Sequence, residues 1–244
     1  MVQQNTDPAA SLPLFYSKVR PLDRVQDATL CAHTTPNFKF AVKSNAIPLV
    51  NEEFQYAAGD YPIVFANGSI PVPVAVTGLE LDKNLMLDAP GNWLPRSYIP
   101  AYVRRFPFIL VEEPNSKQLV LCYEEGTPHL SQHGELKLFE KDEPTDVVKR
   151  ALDFCMALRQ QGEATDTFVQ ALLERKLLDP GHVEVELSNG RMTKMDGFLA
   201  IDREKFRNLP TDVLTAWHKN GWLDLIYAHF LSGSRWQKLA EIAA

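Results

Sequence analysis

At 244 residues with 45% hydrophobic side chains, the chain is long enough to bury a sizeable core as one domain or two. Its formal net charge is -6 and its 25 basic residues are scattered, which argues against the basic face of a nucleic-acid binder. No run of about 18 apolar residues occurs, so no membrane span is expected, and MVQQNTDPAASLPLFYSKV lacks the basic and apolar regions of a secretory signal.

Residues 1–35, rich in Pro, Asp, Thr and Gln, are expected to form an extended arm closed over the body, with ends that fray. Short strand-like runs follow: FKFAV, DYPIVFANGSIPVPVAVTGLEL and NLMLDAPGNW. In the second, Tyr61, Ile63 and Phe65 alternate with Pro62, Val64 and Ala66, and Asn67-Gly68-Ser69 turns the chain into a hairpin. FPFILVEEPNSKQLVLCYEE reads as another hairpin, and its nearly continuous apolar arms suggest central strands covered on both faces.

The period changes near residue 144. Val148, Leu152, Cys155 and Leu158 recur at helical spacing, as do Phe168, Leu172 and Leu173 beyond Gly162. With Thr145 and Thr165 placed as N-caps, the expectation is a helical hairpin over 144–178. HVEVELSNGRMTKMDGFLAID alternates again and turns at Asn189-Gly190. DREKFRNL, TDVLTAWHKNG and LDLIYAHFLSGSRWQKLAEIA are helical, with Gly221 as a stop and Gly233 as an interruption. The fold class is therefore α+β: a mixed, largely antiparallel sheet built from hairpins, covered by a helical hairpin and C-terminal helices. The expected organisation is the arm and one domain over 36–244, strand-rich over 36–140 and a hairpin plus helices over 182–244.

The chemistry is less explicit. GxGxxG, GxxxxGK[ST], GxSxG and HExxH are all absent. Cys31, Cys122 and Cys155 are far apart without metal spacing, which fits reduced thiols in a cytoplasmic protein. His129 and His133 sit in a turn-rich stretch and read as solvated loop histidines, with no metal or cofactor expected. His229, on an apolar helix, reads as a buried histidine bonded to the backbone or, alternatively, as a general base with a nearby carboxylate. Trp217, Trp222 and Trp236 suit a core or a homodimer surface equally.

The most unusual stretch is GNWLPRSYIPAYVRRFPF. Pro100 suits a first helical turn and Pro107 forbids helix just before it, so residues 98–105 are expected to form one short turn entering a strand. Arg104 and Arg105 then point in different directions, and at least one leaves the apolar face. One reading pairs them internally with Asp60, Asp88 or Glu112. The other is an anion pocket in which Arg104 and Arg105 are framed by Tyr98, Tyr102 and Trp93.

IPLVNEEFQYAAGDYPIVF, GNWLPRSYIPAYVRRFPF and LIYAHFLS together resemble the SapC-like family of bacterial proteins, named from surface-layer secretion loci and distinct from the membrane permeases that share the name. The resemblance covers about residues 35 to 240 and carries Asp60, Trp93, Tyr98, Tyr102, Arg104, Arg105 and His229. Gly233-Ser234-Arg235-Trp236 stands where an asparagine is expected. The resemblance implies association with surface-layer or peptide-export loci, and a flavin-dependent, tryptophan-halogenase-like neighbour as a partner. It supplies no reaction and no catalytic residues. The reading favoured is an accessory or binding protein for a peptide or partner protein, with aromatics and arginine carrying the recognition. The alternative is an enzyme using His229, or a small-molecule sensor using the arginine pocket.

Overall fold

The computed structural model describes residues 12–35 and 37–243. Residues 1–11 of the expected arm lie outside the described residues. The chain runs β1 (Val19–Pro21), β2 (Cys31–Ala32), a 3-10 turn (Lys39–Ala41), β3 (Ala46–Pro48), a second 3-10 turn (Asn51–Glu53), α1 (Phe54–Ala57), β4 (Ile63–Ala66) and β5 (Val72–Val76). Next come α2 (Ala101–Arg104), β6 (Phe108–Glu112), β7 (Leu119–Glu124), β8 (Leu130–Ser131), β9 (Leu136–Lys137), β10 (Phe139–Glu140) and β11 (Glu143–Pro144). α3 (Asp146–Glu174), β12 (Leu178–Glu186), β13 (Met192–Ile201), α4 (Arg203–Arg207), α5 (Thr211–Lys219), α6 (Trp222–Ser232) and α7 (Arg235–Ile242) follow.

The fold is α+β, and every strand pair described is antiparallel. The three hairpins expected from turn chemistry form. β4 pairs with β5, β6 with β7, and β12 with β13 around Asn189-Gly190, where Gly190 takes a φ of +79° that costs a glycine little. They do not join one sheet. β12-β13-β4-β5-β3 is one five-stranded sheet, and β1-β7-β6 is a separate three-stranded sheet. The arm contributes β1 to the smaller sheet and β2 to a third, between β8 and β9.

Some expectations need correction. FKFAV contains a 3-10 turn rather than a strand, and NLMLDAPGNW keeps only a single bridge from Leu87 to Trp93. β7 is central, but β6 is an edge with Val111 and Glu112 exposed, because the arm supplies a partner to β7 alone. The helical hairpin is one 29-residue helix, α3. Gly162 does not break it: no proline follows, and good helix formers flank it. Nor does Thr165 cap a new helix. Its hydroxyl donates to the Gln161 carbonyl one turn back, at 2.7 Å, and accepts from the Asn51 N–H at 2.9 Å. A Cβ at Gly162 meets nothing within 4 Å. Gly162→Ala is therefore expected to raise stability by about 1 kcal/mol in a denaturant titration, as for a glycine removed from a helix interior; a loss would mean that the helix needs the glycine.

At 1.5 Å per residue α3 is about 43 Å long, enough to cross both sheets. Its C-terminal half (Phe168, Val169, Leu172) enters the main core with Phe54, Tyr61, Phe65 and Ile226. Its N-terminal half (Val148, Cys155) packs on the smaller sheet with Phe108, Leu121 and Tyr123. Between these cores only a small cluster, Val50, Ala101 and Leu158 with Phe154, fills the space under the helix. The C-terminal tryptophans pack on the core, Trp217 buried and Trp222 and Trp236 partly exposed at its margin. Trp222 packs on Phe168 and Trp217, and Trp236 stacks on Phe198. No helix among the described residues is long and apolar enough to cross a membrane.

Candidate functional site

The Arg104–Arg105 turn is built from behind. As expected, Pro100 opens α2: its carbonyl accepts from Val103 and Arg104, and β6 begins at Phe108. The Tyr98 peptide is gripped on both sides. Its N–H donates to Asp60 Oδ2 at 2.8 Å, and its carbonyl accepts from the Tyr61 hydroxyl, which in turn accepts from Trp93 Nε1 at 3.0 Å. Asp60 is itself held by Lys238 at 2.9 Å, which ties the turn to α7. Trp93 and Asp60 thus position the turn and do not frame the arginines, contrary to the expectation for Trp93; its ring lies in the core.

Glu53 is the second support. Only 4% exposed, its carboxylate accepts from the N–H of Ala101 at 2.6 Å, the Tyr98 hydroxyl at 2.9 Å and the N–H of Val50 at 3.0 Å. Burial raises its pKa above the ordinary carboxylate value, while these donors oppose the rise. Tyr98 also accepts from Arg104 Nη2 at 3.2 Å, so the Glu53 charge reaches Arg104 through one hydroxyl.

Neither arginine meets a carboxylate among the described residues, which overturns the internal ion-pair reading. Asp88 is taken up by its own turn with Gly91 and Asn92, and Glu112 by Lys117 and Arg159. Arg104 donates Nε–H to the Ile99 carbonyl at 3.0 Å and lies over the rings of Tyr98 and Phe154. Arg105 turns the other way, its guanidinium carbon 3.9 Å from the centre of the Tyr102 ring and 5.4 Å from that of Tyr16. Its Nε is buried without a hydrogen-bond partner. Cation–π contact with these two rings helps to hold it.

Both residues line a cleft of about 450 Å3 between the α2–β6 turn and the first turns of α3. Arg104, Arg105 and Arg150 all line it, among apolar walls that include Phe106, Phe108, Val147 and Phe154. No carboxylate lines it. His129 lies at the same cleft, half-buried and not solvated as expected: its ring contacts the Asn37 carbonyl at 2.6 Å and the Thr127 hydroxyl at 3.0 Å. Burial lowers its pKa. Among the described residues no group of three or more His, Cys, Asp or Glu side chains is placed to hold a metal ion. Tyr98 and Tyr102 line neighbouring clefts on the two sides of α2, of about 230 and 200 Å3.

His229 belongs elsewhere. It is 7% exposed and sits where β4 and β13 diverge, lining none of these clefts. Nδ1–H donates to the Ile63 carbonyl at 2.8 Å and Nε2 accepts the Ile201 N–H at 3.1 Å, which requires the neutral ring. Ser232, one turn on, accepts the Ile63 N–H at 2.9 Å. α6 thereby completes the pairing that the parted strands leave open. The backbone-bonded reading of His229 is the one realised, and the general-base reading fails because both nitrogens are committed.

Sequence reasoning missed Glu53, Arg150 and Phe154. Glu53 had a local signal, since an acid three residues into a turn after an apolar residue can reach back to the backbone, as in a capping box. Arg150 and Phe154 share a helical face, but nothing local shows that this face overlies Arg104. No curated protein and no solved structure matches the chain. A family model described as SapC matches residues 22–239, which takes in the arginine turn, the Glu53 support and the His229 wedge. On that match, spanning most of its length, the chain belongs to the SapC family.

Proposed function

We propose that this SapC-family chain is a cytoplasmic binding protein, not a catalyst, and that it recognises a peptide or a partner segment carrying an anionic group beside an apolar side chain. The observation that carries this reading is the cleft of Arg104, Arg105 and Arg150 over apolar walls, without a carboxylate of the chain's own. A chain of net charge -6 that lines one depression with three arginines, none in direct contact with a carboxylate among the described residues, retains capacity for an anion. Arginine and aromatic side chains are also the residues that dominate recognition surfaces. The family's association with surface-layer and peptide-export loci offers a setting in which a peptide ligand is available. The three cysteines are free and buried, in keeping with a reducing compartment.

The test is selection from a randomised pool of short peptides on the immobilised full chain. Wild type is expected to enrich peptides with a carboxylate next to an apolar residue. Arg104→Ala with Arg150→Ala, both at exposed positions, is expected to lose that enrichment by roughly tenfold or more, as when charge-assisted hydrogen bonds are removed, while the unfolding midpoint holds. Equal enrichment by wild type and the double variant sinks the reading.

A further inference from the structure

The arginine cleft does not stand alone. Three depressions follow one another along α3, and the helix residues that line them advance in order. Val147, Arg150, Ala151 and Phe154 line the arginine cleft; Phe154, Ala157, Leu158 and Gln161 line the cleft beside Tyr98; and Ala164 lines a third, of about 330 Å3, beside Trp222. Neighbours share walls. Arg104 and Phe154 belong to the first two, and Glu52 to the second and third.

The charge along this row changes sign. At the beginning of α3 stand Arg104, Arg105 and Arg150, reinforced by the positive end of the helix dipole. In the middle Arg104 faces Glu52 and Glu53. At the far end are Glu52 and Asp224, with the polar side chains of Asn51, Gln55 and Asn220 and no cation. There the buried Asn51 Oδ1 lacks a donor, as Arg105 Nε lacks an acceptor at the other end. Tyr56 stacks on Tyr98 and, largely exposed, offers an aromatic ledge between them.

The geometry points to a polarised groove that fixes the direction of a bound peptide: a free carboxy-terminus lies among Arg104, Arg105 and Arg150, and a lysine or arginine about seven residues upstream lies at Glu52 and Asp224. This rests on the peptide-binding reading above and adds the ligand's polarity to it. From Val147 to Ala164 the helix rises about 25 Å, which an extended peptide covers in about eight residues. Such a ligand is complementary at both ends, whereas the reversed peptide meets like charge twice.

Calorimetry distinguishes the two claims with a peptide of about eight residues, lysine first and phenylalanine last, titrated into the full chain. Amidating its carboxy-terminus is expected to weaken binding roughly tenfold in wild type and little in Arg150→Ala, the loss of one charge-assisted contact. Glu52→Lys is expected to reverse the preference, so that a peptide with glutamate first binds better than one with lysine first. Glu52 is exposed, so this variant does not threaten the fold. Arginine-dependent binding that ignores both amidation and the first residue overturns the polarised groove and leaves the anion cleft standing. Binding insensitive to Arg104→Ala and Arg150→Ala overturns both.

Discussion

Replacing His229 by alanine is expected to cost about 4 kcal/mol of folding free energy. The change strips the Ile63 carbonyl and the Ile201 N–H of their buried partners and leaves a cavity where the ring stood. That is a large part of the 5–15 kcal/mol typical of a domain. The same residue should make stability depend on pH. Burial, aided by Arg203, pushes its pKa from the ordinary 6.5 down to about 4, so the folded state resists the proton that the unfolded chain accepts. Its contribution is therefore complete above the unfolded value and is lost as pH falls from about 6.5 towards 4, amounting to about 3 kcal/mol at the lower limit. Urea titrations of wild type and His229→Ala across that window read the effect directly. If the two curves fall in parallel with decreasing pH, His229 does not titrate as its geometry requires.

Glu53→Ala is expected to cost about 3 kcal/mol, since the N–H groups of Val50 and Ala101 and the hydroxyl of Tyr98 lose their common acceptor. Glu53→Gln should fall between, because one amide oxygen can still serve Ala101 and Tyr98 while its NH2 group opposes Val50. The pH trend runs opposite to that of His229. A carboxyl whose folded pKa is raised holds its proton more tightly in the folded state, so its contribution declines as pH rises above the ordinary carboxylate range. Losing Glu53 also releases Tyr98 and with it one hold on Arg104, so peptide binding should weaken even under conditions where the variant remains folded. Denaturant midpoints and calorimetry check the two effects separately; a midpoint unchanged in Glu53→Ala would show that water replaces the carboxylate.

The helix through Gly162 shows where local signals mislead. Glycine and threonine in the middle of an apolar period have the chemistry of a break, but the Thr165 hydroxyl accepts from Asn51, a residue distant in sequence that no pattern near 165 reveals. Arg104 and Arg105 show the converse. Their exit from the apolar face followed from two prolines and one turn, whereas their lack of carboxylate partners depended on where Lys238, Lys117 and Arg159 took Asp60 and Glu112.

The sequence by itself determined the α+β class, the three hairpins, the C-terminal helices and the short arginine turn. Each rests on alternation, helical period or turn chemistry, which act within a few residues. Only the tertiary structure decided that the strands separate into distinct sheets, that α3 crosses two of them as one helix, and that Arg150 and Phe154 face Arg104 across the gap. It also withdrew His229 and Trp93 from the site and placed Glu53 beneath it. These depend on surfaces that meet after the chain has folded back on itself, and nothing in the local pattern of either partner encodes the other's position.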